Sequence, residues 1–413
     1  MNFYITSLFI AIPSFMILVL IEEIYARYKG VVVNNHADMI SSLSSGMTNI
    51  TKDVLKIGIV IISYSWLVDT ISIVELEKTS VIVLCALVVQ DFTGYWTHRL
   101  NHRVNILWNR HIIHHSSEEF NLSCALRQTI SKTFQYAAIF MIPAALLGVP
   151  ASIFVILGPI HLFMQFWYHT RLINKMGFLE YFLVTPSHHR VHHAINPEYI
   201  DKNYGQIFII WDKLFNTFQE ELSTVKPVYG TLRPSATWNP IIINFKHLFQ
   251  LIKDAWNAEK SVDKIKIWFM PTGWRPQDVE LKYPLNKIDD PFKQVKYAPV
   301  NSVGKIAWSW IQHGFALLIM FHLLVGLEGR EMYFNYLYTA YLLIHIFSFT
   351  TLLDNQSYVV FLELFKFTLL IAYFIYFGFS WFGLSLLLSS IIIVYGFISL
   401  CFTYYFNKRI ITL

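Results

Sequence analysis

The sequence predicts an all-α, polytopic membrane helix bundle of about nine apolar helices, carrying a histidine-rich helical cap on its cytoplasmic side. Three observations lead there. Of 413 residues, 55% are hydrophobic and only 14% are charged, against roughly 25% charged in an ordinary soluble domain. Apolar runs of about 18 residues or more, the length that crosses a bilayer as a helix, recur along the chain. Finally, eleven of the sixteen histidines fall between positions 98 and 193, most of them in three tight clusters.

The apolar runs lie at roughly 4–22, 55–74, 79–97, 133–149, 151–168, 303–326, 332–350, 358–378 and 382–405. The first lacks a basic leader and a small-residue cleavage site, so it is expected to be a retained anchor. The fourth and fifth meet at Gly148-Val149-Pro150 and read as one hairpin that does not span fully. Residues 169–302 hold no spanning run. Their aromatic and basic mix, as in Trp238, Phe245, Lys246 and Trp256, suits a segment lying against the membrane surface. The chain is expected to divide into a histidine-bearing membrane domain over 1–300 and C-terminal membrane helices over 301–413. No internal repeat is present. Cys85, Cys124 and Cys401 are scattered and offer neither a disulfide framework nor a thiolate metal site. The net charge of +5 contains no basic run that would suggest nucleic acid.

Lys and Arg concentrate in cytoplasmic loops of membrane proteins. Arg27, Lys29, Lys52 and Lys56 flank the loop after the first helix; Arg99, Arg103, Arg110, Arg127 and Lys132 follow the third; Lys408 and Arg409 close the chain. Placing these in the cytoplasm leaves only Lys78 and Arg330 on the far side. The N-terminus is then non-cytoplasmic, the C-terminus cytoplasmic, and every histidine cluster cytoplasmic.

The clusters read His98-x3-His102, His111-x2-His114-His115 and His188-His189-x2-His192-His193. Helical residues three and four apart share a face, so each cluster is expected to aim two or three imidazoles at one point. Eight such imidazoles exceed what one ion needs and suit two. Imidazole is a ligand for iron, zinc and copper, and sulfur, which soft copper sites favour, is absent from the clusters. Hydrolytic zinc needs only three protein ligands plus water. The ligand number therefore favours a dinuclear, dioxygen-activating centre able to attack a C–H bond. A transporter would place its polar groups near the bilayer midplane, not at one face.

The three boxes resemble those of the fatty acid hydroxylase and sterol desaturase superfamily. Longer strings resemble the alkylglycerol monooxygenase family within it: Trp108 to Arg127, Gln165 to Thr170, Thr185 to His193, Asp201 to Tyr204 and Ile210 to Lys213. The resemblance covers about residues 1–300. It implies a non-haem di-iron enzyme with His98, His102, His111, His114, His115, His189, His192 and His193 as ligands, and His169 as a ninth. It also implies a lipid substrate, dioxygen, and electrons from an external reductant such as tetrahydrobiopterin. The expected reaction is hydroxylation of the ether-bearing carbon of an alkylglycerol, or hydroxylation or desaturation of another lipid such as a fatty acyl chain, sterol or aminolipid. Animal members carry an acidic residue directly after the second histidine of the first box, where this chain has Arg103.

Asp91, two helical turns before His98, and Glu118, just after the second box, are the candidate catalytic acids, expected to accept from metal-bound imidazoles. Asp201, Asp212 and Glu119 are weaker candidates. His161 reads as a buried polar partner, and His188 yields its place to His189, which preserves the box. His36, His247, His313, His322 and His345 read as packing residues.

Overall fold

The computed structural model describes residues 3–74, 79–132 and 134–411, the side chains of 3, 4 and 409–411 excepted. Lys78, counted above on the far side, lies outside the described residues, as does the side chain of Arg409. Helix α1 spans Phe3–Tyr28 and α2 His36–Val54, followed by strand β1 (Ile59–Val60), α3 (Tyr64–Ile71) and α4 (Ser80–Arg103). The short α5 (Asn105–Trp108) and α6 (Ile112–His115), strand β2 (Phe134–Gln135), α7 (Ile142–Leu146) and α8 (Ala151–Phe166) come next. Then follow α9 (Pro186–His193), α10 (Ile210–Leu214), α11 (Pro240–Asn257), α12 (Ser261–Phe269) and α13 (Gln277–Lys282). Four long helices close the chain: α14 (Val303–Val325), α15 (Met332–Leu353), α16 (Val359–Phe377) and α17 (Leu386–Ile411). The two short strands pair in parallel, Ile59 beside Phe134 and Val60 beside Gln135.

Six helices among the described residues are long and apolar enough to cross a membrane: Ile5–Tyr28, Ser80–Arg103, Val303–Val325, Met332–Leu353, Val359–Phe377 and Leu386–Lys408. The protein is an integral membrane protein, but the expectation of about nine spans needs correction. The run at 55–74 breaks at Lys56, whose φ is 52°, and leaves only the eight-residue α3. Eight residues rise about 12 Å as a helix, far short of a hydrocarbon core of about 30 Å. The run at 133–149 becomes β2, a 3-10 turn and the five-residue α7. Helix α8 has 16 residues. These short pieces pack on α4 through Ile82, Ala86, Ala144, Val149, Ile153 and Leu157. At Gly148, where φ is +65°, a Cβ would lie 1.7 Å from the Val74 carbonyl oxygen. Only glycine permits that approach of the two short segments.

Helix α2 was not among the apolar runs. Its buried face carries Asp38, Ser41, Ser42, Ser44, Ser45, Thr48 and Thr51, so its hydropathy resembles a loop. Asn35 starts it by accepting the N–H groups of Ala37 and Asp38 at 2.9 and 3.3 Å. It runs antiparallel to α1, with Met39 and Leu43 near Val19 and Val54 near Ile5. Its Ala37, Ile40 and Met47 also share the largest apolar cluster with Ile319, Leu323, Leu342, Phe349 and Leu370 of α14, α15 and α16. The C-terminal helices thus pack directly on the polypeptide that supports the histidines.

Candidate metal centre

His98 and His102 lie one turn apart at the end of α4. His111 precedes α6, which carries His114 and His115. His169 follows α8, and His189, His192 and His193 lie on α9, which Pro186 opens at its first turn. Two groups form among the described residues. One gathers His98, His102, His111, His115 and His192; the other His114, His169, His189 and His193. All nine expected ligands are present, and His188 and His161 join neither group.

The expectation that each box points at one place is corrected. His111 and His115 face the first group while His114 faces the second; His192 faces the first while His189 and His193 face the second. The second and third boxes thus each contribute to both groups. The cause is local: His111 has φ −130° and lies outside the helix, and α6 is a single turn of four residues. The groups adjoin at His115 and His193, whose rings stack at 4.3 Å.

Second nitrogens fix the rings. His98 Nδ1 donates to Tyr204 O at 2.8 Å, His192 Nδ1 to Lys202 O at 2.9 Å, and His169 Nδ1 to Gln165 O at 2.9 Å. His114 Nδ1 lies 3.4 Å from Arg127 O. With Nδ1–H committed to carbonyls, each Nε2 presents a lone pair inward. In the first group His98 and His111 bring their Nε2 atoms to 2.9 Å, and His115 lies 3.1 Å from each of His102, His111 and His192. In the second, the corresponding spacings are 2.8 Å for His169–His189, 3.0 Å for His189–His193, 3.1 Å for His114–His193 and 3.3 Å for His114–His169. Lone pairs converging this closely repel unless a cation lies between them. Nitrogens about 2.1 Å from a metal and at right angles stand about 3.0 Å apart, so the donor set fits two transition-metal ions. Burial, and next the charge of neighbouring imidazoles, holds His111, His115, His189 and His193 neutral, with pKa values well below the ordinary histidine range. Burial likewise depresses His114 to about 3. Neutral imidazole is the form that binds metal.

The acids behave differently from expectation. Asp91 does not touch a ligand imidazole. Its carboxylate accepts from His161 Nε2 at 3.0 Å, Ile207 N at 2.8 Å, Phe208 N at 3.1 Å and Trp211 Nε1 at 2.9 Å. It anchors the 204–211 loop on α4, and that loop supplies the carbonyl that orients His98. Gly94 makes the seat close: a Cβ there would lie 2.1 Å from Gln206 Oε1. Asp212 anchors the same loop by accepting Tyr204 N and Gly205 N, each at 2.7 Å. Glu118 accepts Tyr297 N at 2.7 Å and Gln294 Nε2 at 3.3 Å, bracing residues 294–297 rather than the histidines. Glu119 pairs with Arg171 and Lys296 at 2.8 and 2.6 Å. In this geometry Asp91 and Glu118 each brace a loop and touch none of the nine histidines. Arg103 turns onto Asp201 at 2.7 Å, and the same carboxylate lies 3.9 Å from His102 Nδ1. A carboxylate is therefore present beside the first box although it comes from a remote loop.

Three supports escaped the sequence reading. The Lys202 and Tyr204 carbonyls act through the backbone, where side-chain chemistry is silent; the signal was the pair Asp201 and Asn203, both at positive φ. Arg127 and Asp38 form a fully buried ion pair at 2.6 Å. Arg127 also donates to Ser42 and Ser116 at 2.9 and 2.7 Å, tying the second box to α2. A cavity of about 470 Å³ opens onto His98, His111, His114, His169 and His189, ligands from both groups.

The fatty acid hydroxylase family model matches residues 83–217, the stretch holding all nine histidines. The chain is 36% identical to the alkylglycerol monooxygenase of Homo sapiens over 76% of its own length and 69% of that protein. It is 34% identical to the alkylglycerol monooxygenase of Danio rerio, over 86% and 79% respectively. A shorter similarity, 33% identity over 33% of this chain and 41% of the relative, links it to an ornithine lipid hydroxylase of Rhizobium tropici. No solved structure matches the chain.

Proposed function

The chain belongs to the fatty acid hydroxylase family and is an oxygen-dependent lipid hydroxylase, and from that premise we propose that it holds two iron ions and hydroxylates the ether-bearing carbon of an alkylglycerol. The observation that carries this reading is the division of nine histidines into two adjoining groups along one cavity. His98, His102, His111, His115 and His192 would hold one ion; His114, His169, His189 and His193 the other. When bound, the pair would supply dioxygen activation and the oxidising power to break an unactivated C–H bond.

The protein's own residues orient and shield. The carbonyls of Lys202, Tyr204 and Gln165 hold imidazoles with Nε2 inward. Asp91 and Asp212 keep in place the 204–211 loop, which supplies the Tyr204 carbonyl, and groups that hold a ligand's hydrogen-bond partner tune metal affinity and activity. Phe15, Leu126, Leu162 and Phe166 line the same cavity with hydrocarbon, a surface suited to an alkyl chain and to exclusion of water. In balanced form, an ether RCH2–O–R′, dioxygen, two electrons and two protons give RCH(OH)–O–R′ and water. The hemiacetal then collapses to an aldehyde and the alcohol R′OH. The electrons come from an external donor; the resemblance to the alkylglycerol monooxygenases favours a reduced pterin. The distribution of Lys and Arg supports a cytoplasmic site, and the division at residue 300 separates the histidine-bearing domain from the C-terminal helices.

Purified, iron-supplied protein given hexadecylglycerol, oxygen and tetrahydrobiopterin should release hexadecanal. If no aldehyde forms with a pterin or a ferredoxin-type donor while another lipid gains oxygen or a double bond, the substrate assignment fails.

A further inference from the structure

The histidine-lined cavity has a second wall of different chemistry. Arg110, Lys132 and Lys52 also line it, with Asp53 as the carboxylate among them. Asp53 pairs with Lys52 at 2.8 Å. The charged neighbours of Lys132 are Arg110, Lys52 and Asp53, and Lys132 has no hydrogen bond or ion pair among the described residues. Arg110 lies with its guanidinium 4.5 Å from the Tyr136 ring centre, and Tyr136 is itself held by Asn101 at 3.1 Å. Such stacking fixes a guanidinium while leaving its edge free. Two of its donors are free here: Nε and Nη1 of Arg110 are shielded from solvent and have no hydrogen-bond partner. Shielded guanidinium nitrogens without an acceptor are costly, and the geometry calls for an anion. Arg110 thus faces the cavity with shielded, unpartnered donors, and the exposed Lys132, which has Asp53 as its acidic neighbour, lines the same wall.

A second chamber, of about 590 Å³, adjoins this cavity. The two share Phe15, Asn49, Asp53, Leu126, Gln128 and Leu162. Beyond that shared rim the chamber is hydrocarbon, with Leu8, Ile12, Met16, Leu43, Phe163 and Met320 among its walls. It runs among α1, α2, α8 and α14. Gly158 of α8 lines it, and a Cβ there would meet nothing within 4 Å.

We infer that the two chambers form one site for a single-chain anionic amphiphile, its alkyl tail in the apolar chamber and its phosphate or carboxylate headgroup on Arg110 and Lys132. This deepens the lipid-hydroxylase reading and rests on it: the carbons joining head to tail then lie in the histidine-lined cavity. Among ether lipids, the favoured substrate is then one whose glycerol head carries an anion, with the neutral alkylglycerol the weaker ligand. Arg110 recognises the anion through two N–H groups and Lys132 through a point charge.

The test separates binding from chemistry. Full-length, metal-free protein in neutral detergent is titrated with hexadecyl phosphate, palmitate and hexadecylglycerol. The phosphate or the carboxylate, whichever is the true head, should bind at least about tenfold tighter than hexadecylglycerol. Arg110→Gln with Lys132→Gln should abolish that preference and leave hexadecylglycerol binding unchanged; Arg110→Lys should restore part of it. Gly158→Phe should weaken hexadecyl phosphate and spare octyl phosphate. Equal binding of charged and neutral amphiphiles by the wild type overturns the inference. So does a double variant that loses only adsorption to anionic vesicles, because the cations then serve the bulk bilayer. If the binding preference holds but the iron-supplied protein, given oxygen and tetrahydrobiopterin, oxidises no lipid in the set, the functional reading fails alone. If hexadecylglycerol is oxidised but no anionic preference exists, this inference fails alone.

Discussion

His114 and His115 are consecutive residues that fall in different histidine groups. Their rings stand 88° apart in plane with centroids 5.5 Å from one another. His115 Nε2 lies 3.1 Å from His192 Nε2, whereas His114 Nε2 lies 3.1 Å from His193 Nε2.

From this follows an asymmetric pattern of metal loss. Iron-supplied wild type should carry two ions per chain. His115→Ala should chiefly deplete the ion of the five-histidine group, and His114→Ala that of the four-histidine group, with hydroxylation abolished in both. Iron analysis with Mössbauer spectroscopy reads the two populations. One ion or none in the anaerobically purified wild type would falsify the dinuclear reading.

Asp91→Asn removes one of the two carboxylate oxygens that receive four donors. The 204–211 loop should loosen and His98 should lose part of its orientation. Turnover is expected to fall about 10–100-fold while most iron remains, the usual range for a lost outer-shell partner. Complete metal loss would show that the loop builds the centre; full turnover would show that the loop does not influence it.

Removing Asp38 strands the buried guanidinium of Arg127. Breaking a buried ion pair from one side costs about 3–5 kcal/mol, so Asp38→Ala should lower the thermal midpoint far more than Asp69→Asn at an exposed position. It should also disturb His114, which approaches the Arg127 carbonyl. Equal midpoints for the two variants would contradict the role assigned to the pair.

His247 reports on pH. Burial lowers its pKa from 6.5 to about 4, and its Nε2 lies 2.9 Å from the Asn105 carbonyl. A histidine depressed in the folded state binds fewer protons than in the unfolded state. Its contribution is therefore complete above pH 6.5 and declines as pH falls toward 4, by about 3 kcal/mol at full development. His247→Gln should remove this part of the acid sensitivity. Parallel stability curves for variant and wild type between pH 4 and 7 would refute it.

The distribution of Lys and Arg predicts an orientation for the chain. Single cysteines placed near Lys132 and near Arg330 should react with impermeant reagents from opposite sides of the membrane. Labelling of both from one side would overturn this topology.

Much of the grouping was legible in the sequence. The histidines that gather are those marked by the i, i+3 and i+4 repetition of a residue type that is otherwise sparse, and His169 by its place after an apolar helix. The division of labour among them was not legible. It depends on α6 being one turn long and on a carbonyl from residue 204 reaching His98, 106 residues away in sequence. Asp91 was correctly singled out as an acid in an apolar helix, but its partners were not foreseeable, because they come from a loop more than a hundred residues later. The span count failed for a related reason. Hydropathy averages a window and cannot tell a spanning helix from apolar fragments packed on one another, as at Gly148. It also overlooks a helix such as α2, whose buried face satisfies its hydroxyls locally.

The sequence by itself determined the medium, the candidate donors and the kinship of this protein: long apolar runs suit lipid, clustered imidazoles make a donor set able to hold metal, and the strings around His115, His169 and His193 carry the family. Only the tertiary structure decided which imidazole joins which group, which carboxylates act by holding a loop, and that Arg110 reaches the cavity with unpaired nitrogens. The physical reason is that periodicity is written in neighbouring residues, whereas converging lone pairs and uncompensated charges arise between segments that meet only when the chain has folded.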